Sequence, residues 1–236
     1  MSGANILSFP YWAAGGSSQP DSMSLTGWWR DYDPALPWNG APSIGTSGAA
    51  DRYLTTSGTP EQDPGYGTAL NGHGTARFNG GKKLNAAVSF DSYANATSVS
   101  GWALLSPITA TGGDIIRDST SSFVVSMSVG AVNFAVSTGG IGTVTVTRAL
   151  SSSVYSLVTW KYNGVTVNVG VNEIPGSAGG GSTASATIPM TLTGAVTVGT
   201  TMDASLAELA MSDTVLADAD FTNIKAYVNA RYALSL

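Results

Sequence analysis

Apolar and polar residues alternate over several short stretches of this chain, and Gly, Pro, Asn and Ser separate one stretch from the next. A period of two places every second side chain on one face of an extended backbone, so such runs predict strands with one buried face. On this pattern residues 25–32, 75–79, 100–105, 122–129 and 132–137 are expected as strands, with two more near 191–199 and 205–211. In Val154-Tyr-Ser-Leu-Val-Thr-Trp160 the apolar residues fall on both parities, which predicts a strand covered on both faces. Asn163-Gly164 then supplies a tight turn, and strict alternation resumes from Val165 to Val171, completing a hairpin. Val165, Val167, Val169 and Val171 form one core-facing stripe, with Thr166 and Asn168 on the other side.

The period changes near the C-terminus. Phe221, Ile224, Val228 and Tyr232 recur at spacings of three and four, bordered by Tyr227 and Ala230, which predicts an amphipathic helix capped by Asp218 and starting at Ala219. A lone helix of about four turns is marginal in water, so it is expected to dock on the sheets. At the other end, Ile6, Leu7, Phe9, Tyr11 and Trp12 precede the turn-rich GGSSQPDS, which reads as an apolar arm and hinge over residues 1–24 ahead of one domain over 25–236. The same arm also suits a first strand lying on its own domain. Residues 176–187, GSAGGGSTASAT, offer nothing to bury and are expected to be a mobile loop.

Many short strands with regular punctuation predict an all-β sandwich or barrel. With 236 residues, 43% of them hydrophobic, the chain can bury a sizeable core. Charged residues make up 11%, against roughly 25% in an average soluble domain. The net charge of -5 and ten scattered Lys and Arg leave no basic footprint for nucleic acid. The absence of cysteine excludes disulfides and thiolate metal sites. No run approaches the ~20 apolar residues of a helical membrane span, and the first residues lack a signal-peptide pattern, so a product made in the cytoplasm is expected.

Three stretches resemble the concanavalin A-like lectin and glucanase superfamily in its laminin-G-like jelly-roll branch. Leu70-Asn-Gly-His-Gly-Thr-Ala-Arg-Phe-Asn-Gly80 is similar to a strand entering a Phe-Asp-Gly turn, here with Asn79 for Asp. Trp160-Lys-Tyr-Asn-Gly164 is similar to the hairpin before the family's variable loop. Leu206-Ala-Glu-Leu-Ala210, Val215-Leu-Ala-Asp218 and Ile224-Lys-Ala-Tyr-Val-Asn-Ala-Arg-Tyr232 follow its closing strand and helix. The resemblance implies a two-sheet antiparallel jelly-roll sandwich with one C-terminal helix. Leu25-Thr-Gly-Trp-Trp-Arg30, Pro37-Trp-Asn-Gly40 and Gly45-Thr-Ser-Gly48 also look like jelly-roll modules of bacteriophage structural proteins.

Catalytic chemistry is poorly provided for. A retaining glucanase of that superfamily sets two carboxylates about 5 Å apart, but Glu61, Glu173 and Glu208 carry no such pattern around them. Glu208 lies among apolar neighbours and is expected to bond turn backbone. His73, the only histidine, sits between Gly72 and Gly74 in a turn, with no second His or any Cys for zinc and no Gly-x-Ser-x-Gly elbow for a triad. No cofactor is expected. Calcium is the one ion left open, through Asp51, Asp63, Asp91, Asp114 and Asp118 in loop-like sequence, although they form no readable ligand spacing.

Aromatic residues are the remaining lead. Trp28, Trp29, Trp102 and Trp160 read as core or sheet-covering residues, whereas Trp38, Tyr53 and Tyr66 beside polar neighbours would suit a glycan-binding groove, Trp38 also being suited to pinning a loop. Two functions follow as expectations. The first is a non-enzymatic structural or attachment protein of a phage-like virion, a capsid decoration or tail-associated subunit. In it the arm residues Ile6, Leu7, Phe9, Tyr11 and Trp12 anchor the chain on other virion proteins or on its own copies as a homo-oligomer. The second is a carbohydrate-binding module, extracellular in location, that meets cell-surface glycan. Neither involves nucleic acid or a membrane.

Overall fold

The computed structural model describes residues 20, 23, 25, 27–31, 38–39, 53–56, 65–67, 69–86, 97–108, 112–138, 142–177, 181–185 and 196–236. The predicted arm residues Ile6, Leu7, Phe9, Tyr11 and Trp12 lie outside them, as do Asp51, Glu61, Asp63 and Asp91.

Among the described residues two antiparallel sheets of eight strands each pack face to face, with one helix at the C-terminal end. Sheet A contains β1 (Gly27–Arg30), β4 (Gly65–Tyr66), β5 (Ala76–Asn79), β7 (Val99–Pro107), β12 (Ser156–Tyr162), β13 (Thr166–Val171), β14 (Gly181–Ser185) and β16 (Asp203–Ser212). Its order is β14-β13-β12-β7-β16-β5-β4, with β1 also on β16. Sheet B contains β2 (Trp38–Asn39), β3 (Tyr53–Thr56), β6 (Leu84–Ala86), β8 (Gly113–Asp118), β9 (Phe123–Ser128), β10 (Ala131–Thr138), β11 (Gly142–Ala149) and β15 (Val196–Val198), ordered β11-β10-β9-β8-β15-β6-β3-β2. Helix α1 spans Asp218–Tyr232.

The two sheets differ in what their side chains demand. In β9 and β10 every second residue is buried, so Phe123, Val125, Val132, Phe134 and Val136 face the interior while their neighbours face outward. In β7, by contrast, every residue is buried, and in β12 all but Lys161. A strand apolar on both parities needs cover on both faces. Trp29, Ala103, Leu105, Val158 and Trp160 enter the core between the sheets. Trp28, Trp102, Leu104 and Leu157 point the other way, into a second cluster with Phe221, Ile224, Val228 and Tyr232 of α1. Burying an aromatic or large aliphatic side chain contributes about 1.5–3 kcal/mol, so these four helix residues suffice to hold α1 on sheet A.

Several expectations need correction. Val167 and Val169 are fully buried and Val171 packs against the core, but Val165 is 51% exposed because Asn163 and Gly164 turn the chain and the strand begins only at Thr166. The Asn163 side chain accepts the backbone N–H groups of Val165 and Thr166, and Gly164 takes a φ of 87°, so the turn itself absorbs Val165. Within the Gly- and Ser-rich stretch, residues 181–185 form β14, paired with β13 through backbone hydrogen bonds that need no apolar side chain. Asp218 is not the helix cap. Asp220 reaches back to the Ala217 N–H at 2.8 Å, while Asp218 pairs with Lys161.

Close strand contact explains one glycine. A Cβ on Gly101 would lie 2.3 Å from the Ala210 carbonyl oxygen and 2.6 Å from the Trp160 ring, so no larger residue fits between β16 and that indole.

Candidate functional site

The polar residues of sheet A converge where the sheet is interrupted. β5 pairs with Asp203 to Leu206 of β16, and β1 takes over along the same edge opposite Glu208 to Met211. Between them β16 carries a bulge, since Leu206 faces Leu105 of β7 while Glu208 faces Leu104. The extra residue shifts the parity and puts Glu208 on the outer, helix-covered face.

Glu208 is fully buried there, and its carboxylate accepts four side-chain donors. Trp28 Nε1 lies 2.5 Å and Trp102 Nε1 3.3 Å from Oε1, and the Tyr232 and Tyr227 hydroxyls lie 2.9 and 3.4 Å from Oε2. Two oxygens with two acceptor sites each are thereby filled. Burial pushes the Glu208 carboxyl above its ordinary pKa, and Trp28, Tyr232, Arg231 and Trp102 pull it back only in part. The hydroxyls of Tyr232 and Tyr227 are held protonated, first by burial and then by the Glu208 charge. This corrects the expectation that Glu208 bonds turn backbone. Its partners are side chains of β1, β7 and α1.

His73 lies beside this cluster in a turn, as expected, with Asn71 and Gly72 at φ of 48° and 78° and a bridge from Leu70 to His73. Its Nδ1 is 2.8 Å from Asp31 Oδ1, Arg231 Nη2 is 2.6 Å from Asp31 Oδ2, and Arg231 and His73 approach to 3.1 Å. The carboxylate takes both donors, which fixes Nδ1–H as the imidazole donor. The imidazole stands edge-on to Tyr232 at 5.3 Å, and Asn71 donates to the Arg231 carbonyl at 2.9 Å. Apart from the His73–Asp31 pair, each contact joins α1 to the β1 end or the 70–73 turn, so this cluster anchors the helix. Glu208 is sealed from solvent within this cluster.

The outer face of sheet B is built differently. Register places Asn133 between Ser126 of β9 and Thr147 of β11, Ala135 between Val124 and Thr145, and Ser137 opposite Thr143. These side chains share one face, which among the described residues no element covers. Asn133 is oriented by its neighbours, Nδ2 donating to Ser128 at 3.1 Å and Oδ1 accepting from Thr147 at 2.7 Å. These bonds use one of its two donors and one of its two acceptor sites. The face carries hydroxyls, an amide and small apolar groups but no charge until Arg117 of β8, which pairs with Asp114 at 3.0 Å.

Of the aromatic residues singled out as glycan ligands, Trp38 lies on β2 and Tyr53 on β3 of sheet B, and Tyr66 lies on β4 of sheet A. Asp118 is buried and accepts the Thr120 N–H at 2.9 Å, which with the Asp114–Arg117 pair accounts for both described members of the calcium set. Among the described residues no group of three His, Cys, Asp or Glu is placed to hold a metal ion. Asn133 and its hydroxyl neighbours were missed in the sequence, where alternation marks them as solvent-facing without marking them as a site.

No family model matches the chain, and no curated protein matches it. Solved structures show the same fold. The binding domain of Paraclostridial Mosquitocidal Protein 1 is similar with a TM-score of 0.66 at 9% identity, covering 89% of this chain and 54% of that one. The botulinum neurotoxin serotype D ligand-binding domain in complex with N-acetylneuraminic acid gives 0.63 at 10%, covering 89% and 52%. The receptor-binding domain of the botulinum neurotoxin C/D mosaic serotype gives 0.61 at 11%, covering 86% and 51%. The chain spans about half the length of these domains, and what it shares with them is the two-sheet β-sandwich fold.

Proposed function

We propose that this chain is a non-enzymatic, carbohydrate-binding attachment module whose ligand lies across the outer face of β9, β10 and β11. The observation that carries the reading is the contrast between the two outer faces. That of sheet A is sealed by α1, whereas that of sheet B presents Ser126, Asn133, Ser137, Thr143 and Thr145 with no charge among them. Sugar hydroxyls both donate and accept, as do Ser, Thr and Asn, and an uncharged surface meets them without desolvating an ion. The similar domains include one in complex with N-acetylneuraminic acid and one whose cell entry depends on two ganglioside molecules, which supports carbohydrate as the ligand class. A glycan array tests it. Hits are expected for the native chain and their loss for Ala135→Arg, which sets a long charged side chain in the middle of the face. Binding that survives Ala135→Arg but is lost with Trp38→Ala would move the site to the β2 edge.

A virion-borne location is the second reading, supported by the likeness of residues 25–48 to phage modules. Within that stretch Trp28 and Trp29 serve the fold, as a Glu208 donor and a core residue. Co-sedimentation of the chain with a particle, lost on removing residues 1–24, is the outcome this reading expects.

A further inference from the structure

Five large hydrophobic side chains are exposed among the described residues, and three of them share one end of the sandwich. Val129 is 77% exposed, Val154 52% and Ile108 42%. Backbone hydrogen bonds tie their turns together. The Leu150 N–H donates to the Gly130 carbonyl at 2.9 Å, Ser153 to Pro107 at 2.7 Å, Ile108 to Asp203 at 3.0 Å and Gly80 to Met202 at 2.8 Å. The last bond brings the turn between β5 and β6, with Lys82 and Lys83, to the same end. Val129 and Gly130 alone connect Ser128 of β9 to Ala131 of β10, in a two-residue hairpin loop of the kind that Asn, Asp and Gly favour. A valine at that tip contributes almost nothing to the core. Ser153, just before Val154, takes a φ of 63°, an uncommon conformation outside glycine. Apolar side chains held on such turns, with hydroxyl groups around them, mark a contact surface.

Charge separates the two ends. At this one Asp203 and Asp114 are each paired with an arginine, at 2.6 and 3.0 Å, and Lys82 and Lys83 outnumber the exposed Glu173. At the other, Asp213, Asp218 and Asp220 outnumber Lys161. We propose that the Val129 end docks on the surface of an anionic phospholipid bilayer. Val129, Val154 and Ile108 enter the boundary between headgroups and acyl chains, Lys82 and Lys83 meet lipid phosphates, and the exposed Ser151 and Ser152 hydrogen-bond to headgroups. A bilayer is the occupant that fits because the three side chains stand on separate turns around a rim, so each enters its partner singly. The lysines select negative charge although the whole chain carries -5. Three aliphatic side chains alone give marginal, reversible adhesion, and the basic pair is the second contact that such anchoring requires. The expectation of no membrane partner is set aside here, since it rested on the lack of a spanning run and a surface contact needs none.

Co-sedimentation of the full chain with phosphatidylcholine vesicles, with and without phosphatidylserine, tests the proposal. Binding is expected with phosphatidylserine, and Lys82→Gln/Lys83→Gln is expected to weaken it about thirtyfold. Val129→Asp is expected to weaken it about tenfold with an unchanged circular dichroism spectrum, and Val129→Asp/Val154→Asp to abolish it. Val165→Asp, at a position 51% exposed at the opposite end, is expected to bind as the native chain does. A native chain that leaves phosphatidylserine vesicles unbound, or binds equally well without that lipid, overturns the proposal. So does binding that survives either double variant, or an equal loss with Val165→Asp. If Val129→Asp/Val154→Asp fails to fold, Val129→Asp decides between the outcomes. No glycan enters the assay, so its outcome is independent of the carbohydrate reading.

Discussion

Glu208 exchanges hydration for two indoles and two phenols, and it does so from a strand residue whose direction depends on a bulge. Removing the carboxylate leaves those four donors facing an apolar cavity. Glu208→Leu is therefore expected to lower stability by about 3–5 kcal/mol in a denaturant titration, in the range for breaking a buried charged network. Glu208→Gln keeps an acceptor and isolates the charge. Because burial raises the folded pKa above the ordinary 4.5, the folded chain holds the proton more tightly than the unfolded one. Stability from this group is thus greatest below 4.5 and declines as pH rises through the folded value. The native chain should show that decline, and Glu208→Gln should lack it. An identical slope in both proteins would assign the pH dependence elsewhere. None of this network was legible in the sequence, since its donors come from 180, 106, 24 and 19 residues away and nothing local to Glu208 announces them.

Among the elements, α1 converts a two-faced sheet into a stable one. Ile224 is completely buried over sheet A, so Ile224→Ala is expected to destabilise by about 2–5 kcal/mol in equilibrium unfolding. Gly101→Ala should be at least as damaging, because the added carbon would strike backbone at Ala210 rather than a side chain that can rotate away. The helix stripe of Phe221, Ile224, Val228 and Tyr232 was readable from its spacing, as were β9, β10, β12 and β13 from the parity of their apolar residues. β14 was not readable, because Gly181–Ser185 has no apolar pattern and is a strand only through pairing with β13. Where burial of side chains makes an element, periodicity reveals it. Where backbone pairing or a bulge makes it, periodicity is silent.

At the scale of the whole molecule, the sandwich is asymmetric. One outer face is closed by a helix pinned through Glu208, Asp31 and His73, and the other, uncovered among the described residues, is a hydroxyl and amide surface on β9, β10 and β11. The Asn133 contribution to binding can be read on its own. Asn133→Ala should weaken glycan binding about tenfold, the loss of roughly one hydrogen bond to a polar ligand, while leaving the mass in solution unchanged.

The most direct test is a two-dimensional NMR titration of the chain with glycans that score on the array. The amides of Ser126, Asn133, Ala135 and Thr145 are expected to shift together and saturate with one binding constant. Shifts confined to β2 and β3, or an unperturbed spectrum across a broad glycan panel, would contradict assignment of the outer face of sheet B as the carbohydrate site.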